Sequence, residues 1–215
     1  MVWELSVHLT SVDLAHDQIE IPEGDPDAVR PKDLTPDDGS LRSRVYVGRC
    51  ADEGPLPKRL LVKAKKYVPH DFLAVGGLYL AGEKMRRVIE ELEPGVHQFV
   101  PVKMIRKRTG EEIGTWYWFF PCNRLDTISR TASENFELAY NPVTRIHFWR
   151  RKDKEKPEKV VFSRPRIGDH HIWVDKYYGG PFIFMSNALY KSLKKARVTG
   201  VNWDHLEEFP ETDEL

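Results

Sequence analysis

Cysteine is scarce in this chain. Cys50 and Cys122 are the only two among 215 residues, and they are not arranged as a CxxC pair. Disulfide-stapled scaffolds need more cysteines, and zinc sites need clustered cysteine or histidine ligands. The sequence therefore predicts free thiols, which suit a reducing cytoplasm.

Long apolar runs and net charge are also missing. No stretch approaches the roughly 20 apolar residues of a membrane-spanning helix, and the first residues lack the basic start and apolar core of a signal peptide. The 33 basic residues balance 33 acidic residues, so no global field attracts nucleic acid or an anionic membrane. We expect a cytoplasmic protein that does not bind membranes.

Common catalytic signatures are absent as well. The sequence has no GxSxG nucleophile motif, no phosphate-binding P-loop and no GxGxxG dinucleotide motif. This counts against common enzyme classes and leaves unusual ones open. The sequence predicts neither a cofactor nor a metal site. With 40% hydrophobic residues, the chain can form one ordinary domain with a sizeable core.

Two helices are well marked. Between residues 82 and 93, apolar side chains recur at helical spacing on one face, and Pro94-Gly95 ends the pattern. Residues 187–197 show a similar pattern, with Ser186 as a natural N-cap and Gly200 as the stop.

Strand signals fill much of the remaining chain. A hairpin is predicted over residues 96–105 and 113–120, which flank a glycine-bearing turn. In its second strand Trp118 and Phe119 point to opposite faces. Because both faces are aromatic, we expect this strand to be central and covered on both sides.

These patterns predict an α+β fold. A mostly antiparallel, aromatic-rich sheet is expected to pack against two main helices, at about 82–93 and 187–197. We divide the chain into an N-terminal β and loop region at 1–70, an α+β domain at 71–205 and an acidic tail at 206–215. Within the first region, residues 13–38 carry nine acids and two bases, a net charge of −7, with the prolines of an exposed loop.

Asp169, His170 and His171 invite a catalytic or metal-binding interpretation. Neighbouring side chains of a strand face opposite sides of the sheet, so the two histidines cannot easily share one metal ion. No second cluster with metal-ligand spacing occurs elsewhere in the sequence. We interpret one histidine as hydrogen-bonded in the core and the other as lying near the surface.

The segment Pro121–Asp126 offers a thiol, an amide, a guanidinium and a carboxylate. A cysteine nucleophile needs a base and an oxyanion hole, and the sequence shows neither. We interpret the segment as a polar loop in which Arg124 and Asp126 satisfy buried backbone groups or each other. The alternative is a small hydrolase-like enzyme that uses Asp126, His170 and His171.

A basic stripe spans residues 145–166, with nine bases against three acids and with Phe148 and Trp149 between them. Bases interleaved with aromatic residues are typical of proteins that bind single-stranded nucleic acid. Several of the lysines fall in a predicted hairpin turn, where solubility alone explains them. Nucleic-acid binding by this stripe is therefore kept as a second alternative.

Roughly residues 70–205 resemble the myxobacterial-type immunity protein family, whose members accompany bacterial polymorphic toxins. Each motif is weak alone, but together they occur in the family's order and spacing. The segments that carry the resemblance are Leu92–Val102, Trp118–Asp126, Ile167–Trp173, Ile183–Ser186 and Arg197–Val201.

The resemblance implies a non-catalytic protein that binds a cognate protein toxin and blocks its active site. Such binding requires a preformed surface of complementary charge. Because many antibacterial toxins are basic, the acidic segment 13–38 is one candidate surface, and a solvated loop is the other interpretation. The candidate contact residues are Asp25, Asp27, Asp37 and Asp38. We interpret the motif residues as structural, namely Trp118, Asn123, Arg124, Asp126, Gly168, Asp169, His170, His171 and Gly200.

Overall fold

The computed structural model describes residues 1–7, 17–32, 47–143, 145–178 and 182–214. The helices whose bounds lie within these ranges are α1 (Glu83–Leu92), α2 (Arg164–Ile167) and α3 (Asn187–Lys195), and a 3-10 turn covers Pro26–Ala28. The strands are β1 (Val2–Leu5), β2 (Ile19–Glu20), β3 (Arg59–Val62), β4 (Phe72–Val75), β5 (Leu78–Gly82), β6 (Gln98–Arg106), β7 (Glu112–Phe120), β8 (Arg124–Leu125), β9 (Phe136–Asn141), β10 (Ile146–Arg151), β11 (Phe162–Ser163), β12 (Ile172–Asp175), β13 (Ile183–Ser186), β14 (Glu208–Phe209) and β15 (Glu211–Thr212).

Within the described ranges the strands form two larger sheets and two ribbons. The six-stranded sheet has the order β2-β3-β6-β7-β5-β4, and the five-stranded sheet has the order β14-β1-β13-β12-β8. The ribbons pair β9 with β10 and β11 with β15. Most pairs are antiparallel, whereas β3–β6, β8–β12 and β11–β15 are parallel. The sheet-rich, mostly antiparallel α+β class is confirmed, but the one expected sheet is divided into two.

The predicted hairpin is confirmed as β6 and β7, and β7 lies between β6 and β5. Trp118 and Phe120 belong to one core cluster, while Phe119 belongs to another. From Trp118 to Phe120, both faces of β7 are therefore buried, as their aromatic composition predicts. The indole Nε1–H of Trp118 donates to the carbonyl oxygen of Pro57 at 2.8 Å, so this buried ring keeps its polar atom satisfied.

The two main helices share one core cluster with both larger sheets. Met85 of α1 and Leu193 of α3 belong to the same buried cluster as Phe119 of the six-stranded sheet and Ile183 of the five-stranded sheet. At the start of α3, Ser186 Oγ accepts the N–H of Leu189 at 3.2 Å, as predicted for its N-cap. This packing brings the end of α1 to the place where the two sheets meet.

The predicted role of Gly200 as the stop of α3 is wrong. The helix ends at Lys195, and the residue that adopts the left-handed conformation after it is Arg197, with a φ of 54°. Gly200 (φ of 88°) instead lies against the strand that begins at Phe72, where a Cβ atom would collide with the carbonyl oxygen of Phe72. Its small size is needed for chain packing.

Both ends of the described chain take part in pairing. β1 pairs with β13 and with β14, and β15 pairs with β11. β2 pairs with β3, which continues the six-stranded sheet. Among the described residues, no helix is long and apolar enough to cross a membrane.

Candidate functional site

A dense set of polar contacts in the interior surrounds Glu93, directly after α1. Only 5% of Glu93 is exposed. Its Oε2 accepts the N–H of Ile172 at 2.9 Å and lies 3.0 Å from Nε2 of His97. Its Oε1 accepts Nδ2–H of Asn123 at 2.8 Å and lies 3.3 Å from Nδ1 of His170. We call these five residues the Glu93 junction, because they link α1, the segment after β7 and the start of β12.

The hydrogen bonds assign the protonation state of His97. Its Nδ1 accepts the backbone N–H of Cys122 at 3.1 Å, so this nitrogen carries no proton. The proton of the neutral imidazole is therefore on Nε2, from which it is donated to Glu93. Both ring nitrogens of this buried side chain are satisfied.

The pKa of Glu93 reflects this environment. Burial acts to raise the pKa, but hydrogen bonds from Nε2–H of His97 and from the backbone amides of His171 and Ile172 outweigh burial and lower it from 4.5 to about 2. At neutral pH the group is an ionised carboxylate. Such a weak base with occupied lone pairs is suited to holding the junction together and poorly suited to proton transfer.

The residues considered for an acid–base or metal site have separate partners. β12 begins only at Ile172, so the two histidines lie just before the strand. His170 faces Glu93, whereas Nδ1 of His171 lies 2.8 Å from Oγ of Ser186. Asp169 is exposed. Across the described ranges, no group of three or more histidine, cysteine, aspartate or glutamate side chains is arranged to hold a metal ion.

The polar segment after β7 makes contacts in several directions. Asn123 also donates to the carbonyl oxygen of Ile172 at 2.9 Å. Arg124 donates to the backbone carbonyl oxygens of Val47 and Lys176. The carboxylate of Asp126 instead pairs with two other arginines, Arg130 at 2.7 Å and Arg166 at 3.3 Å. Among the described residues, Asp126 makes no contact with either histidine, and the three side chains share no common partner.

One further motif residue and one unpredicted residue support turns. Gly168, with a φ of 59°, follows α2 and allows the chain to reverse toward β12. Asp175 is 1% exposed and was not singled out in the sequence. Its carboxylate accepts backbone N–H groups from two segments, those of Thr127, Ile128, Tyr177 and Tyr178.

Three of the five segments that resemble immunity proteins meet at the Glu93 junction. The first supplies Glu93 and His97, the second supplies Asn123, and the third supplies His170 and Ile172. Glu93 and His97 were not predicted from the sequence as site residues. The available signal was an acid and a histidine four residues apart around a helix-ending Pro-Gly turn.

The acidic candidate residues lie only partly within the described chain. Asp37 and Asp38 are outside the described residues. Asp25 and Asp27 are exposed, and Oδ1 of Asp25 accepts the N–H of Asp27 at 3.1 Å at the start of the 3-10 turn. The neighbouring Val29 is fully buried and fixes this turn to the core. In the described part of the chain neither acid has a basic ion-pair partner, and we call this pair the acidic surface.

The basic stripe at 145–166 is largely neutralised by nearby carboxylates. Bases that are already paired offer less positive field to a phosphate backbone than free ones. Six of its nine bases have a carboxylate within ion-pair distance. These pairs are Arg150–Glu137, Arg151–Glu158, Lys156–Asp153, Lys159–Glu134, Arg164–Asp213 and Arg166–Asp126.

Comparison with known proteins gives one family. The model of the family described as "Immunity protein family (Imm11)" matches residues 21–208. No curated protein matches the chain. The matched span contains α1, α3 and the whole Glu93 junction, and it covers well over half of the sequence. The chain belongs to the immunity protein family Imm11.

Proposed function

We propose that this protein neutralises a cognate bacterial toxin by binding it in the cytoplasm, without chemistry of its own. Membership of an immunity protein family supports the neutralising role. The observation that carries the non-catalytic part is the Glu93 junction, where a carboxylate and its histidines are engaged in mutual hydrogen bonds. The two free thiols suit a reducing compartment.

The acidic surface is the proposed docking point. Asp25 and Asp27 are exposed, while Val29 and the β2–β3 pairing hold their backbone in place. Fixed charges of one sign accelerate encounter with a partner of opposite sign, and they lose little entropy on binding. A basic face on the toxin is the complementary partner.

Association kinetics test this proposal. A toxin domain whose gene lies beside that of this protein would be expressed, and its binding to the protein would be followed at low and high salt. Replacing both acids (Asp25→Asn with Asp27→Asn) should lower the association rate constant by about tenfold at low salt, and this difference should shrink at high salt as the charges are screened.

A matched control changes the same amount of charge elsewhere. Glu155 and Asp204 are exposed and lie outside the acidic surface. The Glu155→Gln and Asp204→Asn double variant should associate at the wild-type rate. Equal rates for the acidic-surface variant and the wild type would remove Asp25 and Asp27 from the interface. Absence of any complex, with no protection of cells that express the toxin, would overturn the immunity role itself.

A further inference from the structure

A cavity of about 400 Å³ lies at the edge of the six-stranded sheet. β3 and β6 are parallel, so their carboxyl ends meet at the same edge, where Val62 pairs with Arg106. The turn from β6 to β7 closes one side through a hydrogen bond from Gly110 N–H to the carbonyl oxygen of Arg106 at 2.8 Å. The bases that line the cavity are Lys63, Lys65, Arg106 and Arg108.

Arg106 is fixed in place without being neutralised. Its Nη1 donates to the carbonyl oxygens of Ala64 and Tyr67, each at 2.7 Å. Carbonyl groups orient a guanidinium but leave its full positive charge. No carboxylate among the described residues forms an ion pair with Arg106, so the remaining N–H donors of the guanidinium are available to a ligand.

The cavity differs from the rest of its sheet in charge balance. Other bases of this sheet are paired, as in Arg59–Glu23 at 3.2 Å, Lys103–Glu112 at 2.8 Å and Lys107–Glu20 at 2.6 Å. Lys65 and Arg108 have no such partner within the described ranges. The carboxylates nearby are Glu111, which lines the cavity, and Glu20, whose pKa is lowered by its hydrogen bond to Lys107 and by the charges of Lys107 and Lys63.

We propose that this basic cavity binds a small ligand that carries a pyrophosphate or similar polyphosphate group. Four bases and one carboxylate line the cavity, and this excess of positive charge favours a ligand with several negative charges. A guanidinium fork binds two phosphate oxygens, lysines add point charges, and the Thr109 hydroxyl at the rim can donate a further hydrogen bond. The volume lies within the range of small-molecule sites.

The cavity is separate from the proposed toxin-binding surface. Arg59, at the amino end of β3, pairs with Glu23 beside the acidic surface, whereas the cavity lies beyond Val62 at the other end of the strand. Anion binding here does not depend on the immunity role, and either proposal can fail without the other.

Calorimetric titration of the full chain with pyrophosphate tests the site. We expect saturable binding with a submillimolar dissociation constant, and at least about tenfold weaker binding of citrate, whose planar carboxylates match the cavity less well. The Lys65→Gln and Arg108→Gln double variant should bind pyrophosphate about tenfold more weakly or worse. Arg106 is left intact because its carbonyl contacts support the neighbouring loop.

The control places the same charge change in the two turns that flank β10. Arg145→Gln with Lys154→Gln removes two exposed bases far from the cavity in sequence and should leave the dissociation constant unchanged. Absence of saturable pyrophosphate binding would overturn the proposal. So would an equal loss in both double variants, which would indicate a general charge effect. Citrate affinity equal to that of pyrophosphate would overturn the phosphate assignment.

Discussion

The Glu93 junction and the surface near the two ends of β3 both concentrate ionisable groups. The charges of these groups are compensated in opposite ways in the two regions. At the junction, Glu93 is buried and its oxygens accept or face four nitrogen atoms. Near the two ends of β3, the charged side chains are exposed and lack ion-pair partners in the described chain. These are Asp25 and Asp27 at one end and Lys65 and Arg108 at the other. A buried charge must be compensated inside the protein, whereas an exposed one is compensated by water until a partner replaces it. Charges of the first kind stabilise the fold, and charges of the second kind remain available for binding.

The largest expected effect is on folding, from Glu93→Gln. The amide keeps the shape of the side chain, but its N–H₂ group faces N–H donors that bind a carboxylate oxygen in the wild type. We expect the free energy of unfolding to fall by about 3 kcal/mol, the range seen when one partner of a buried charged network is removed. Urea denaturation measures this change.

The matched control is Glu91→Gln on the same helix, where the side chain is exposed. It should change the free energy of unfolding by less than about 0.5 kcal/mol. Similar losses in the two variants would mean that the junction is no more sensitive than the surface, and the contrast between the two regions would fail.

The pH dependence of stability gives a second test of the Glu93 junction. The folded-state pKa of Glu93 is about 2 against 4.5 for the free group. A depressed acid pKa contributes stability that is fully present above pH 4.5 and is lost as the pH falls through about 2. At 1.36 kcal/mol per pKa unit, this contribution is about 3 kcal/mol.

Unfolding of the wild type and the Glu93→Gln variant should therefore be compared from neutral pH downward. The gap in free energy of unfolding should be constant above pH 4.5 and should narrow toward pH 2. A gap that stays constant over this whole range would show that the ionised state of Glu93 is not what stabilises the junction.

The smallest effects on the free energy of unfolding are expected near the two ends of β3. Asp25→Asn with Asp27→Asn keeps the capping geometry at the 3-10 turn, because asparagine caps about as well as aspartate. Lys65→Gln with Arg108→Gln removes charges that have no carboxylate partner among the described residues. Each double variant should change the free energy of unfolding by less than about 0.5 kcal/mol in a denaturation experiment. A loss above 1 kcal/mol would mean that these charges support the fold.

Local patterns in the sequence predicted the elements that depend on local chemistry. α1, α3 and the β6–β7 hairpin follow from helical spacing, from Ser186 as a cap and from a glycine turn. The division into two sheets did not follow, because it depends on pairings between distant segments. Val2 lies opposite Ser186, and β3 runs parallel to β6, and no local residue pattern encodes either register.

The site was predictable to a lesser degree. His170 and His171 have different partners, Glu93 and Ser186, but strand alternation is not the reason, because both residues precede β12. The importance of Glu93 was not visible, because a glutamate before a Pro-Gly turn looks like an exposed charge at a helix end. Its burial results from segments that arrive much later in the chain, those of Asn123 and Ile172.

The central claim is that this protein neutralises a toxin by occupying it. The most direct measurement is a titration of toxin activity against increasing amounts of this protein, with an Asp126→Asn and His170→Gln double variant in parallel. Our account predicts that inhibition rises in proportion to the protein added, that each molecule silences no more than one toxin molecule, and that the double variant inhibits as well as the wild type. Inactivation of many toxin molecules by one molecule of this protein, lost in the double variant, would contradict it.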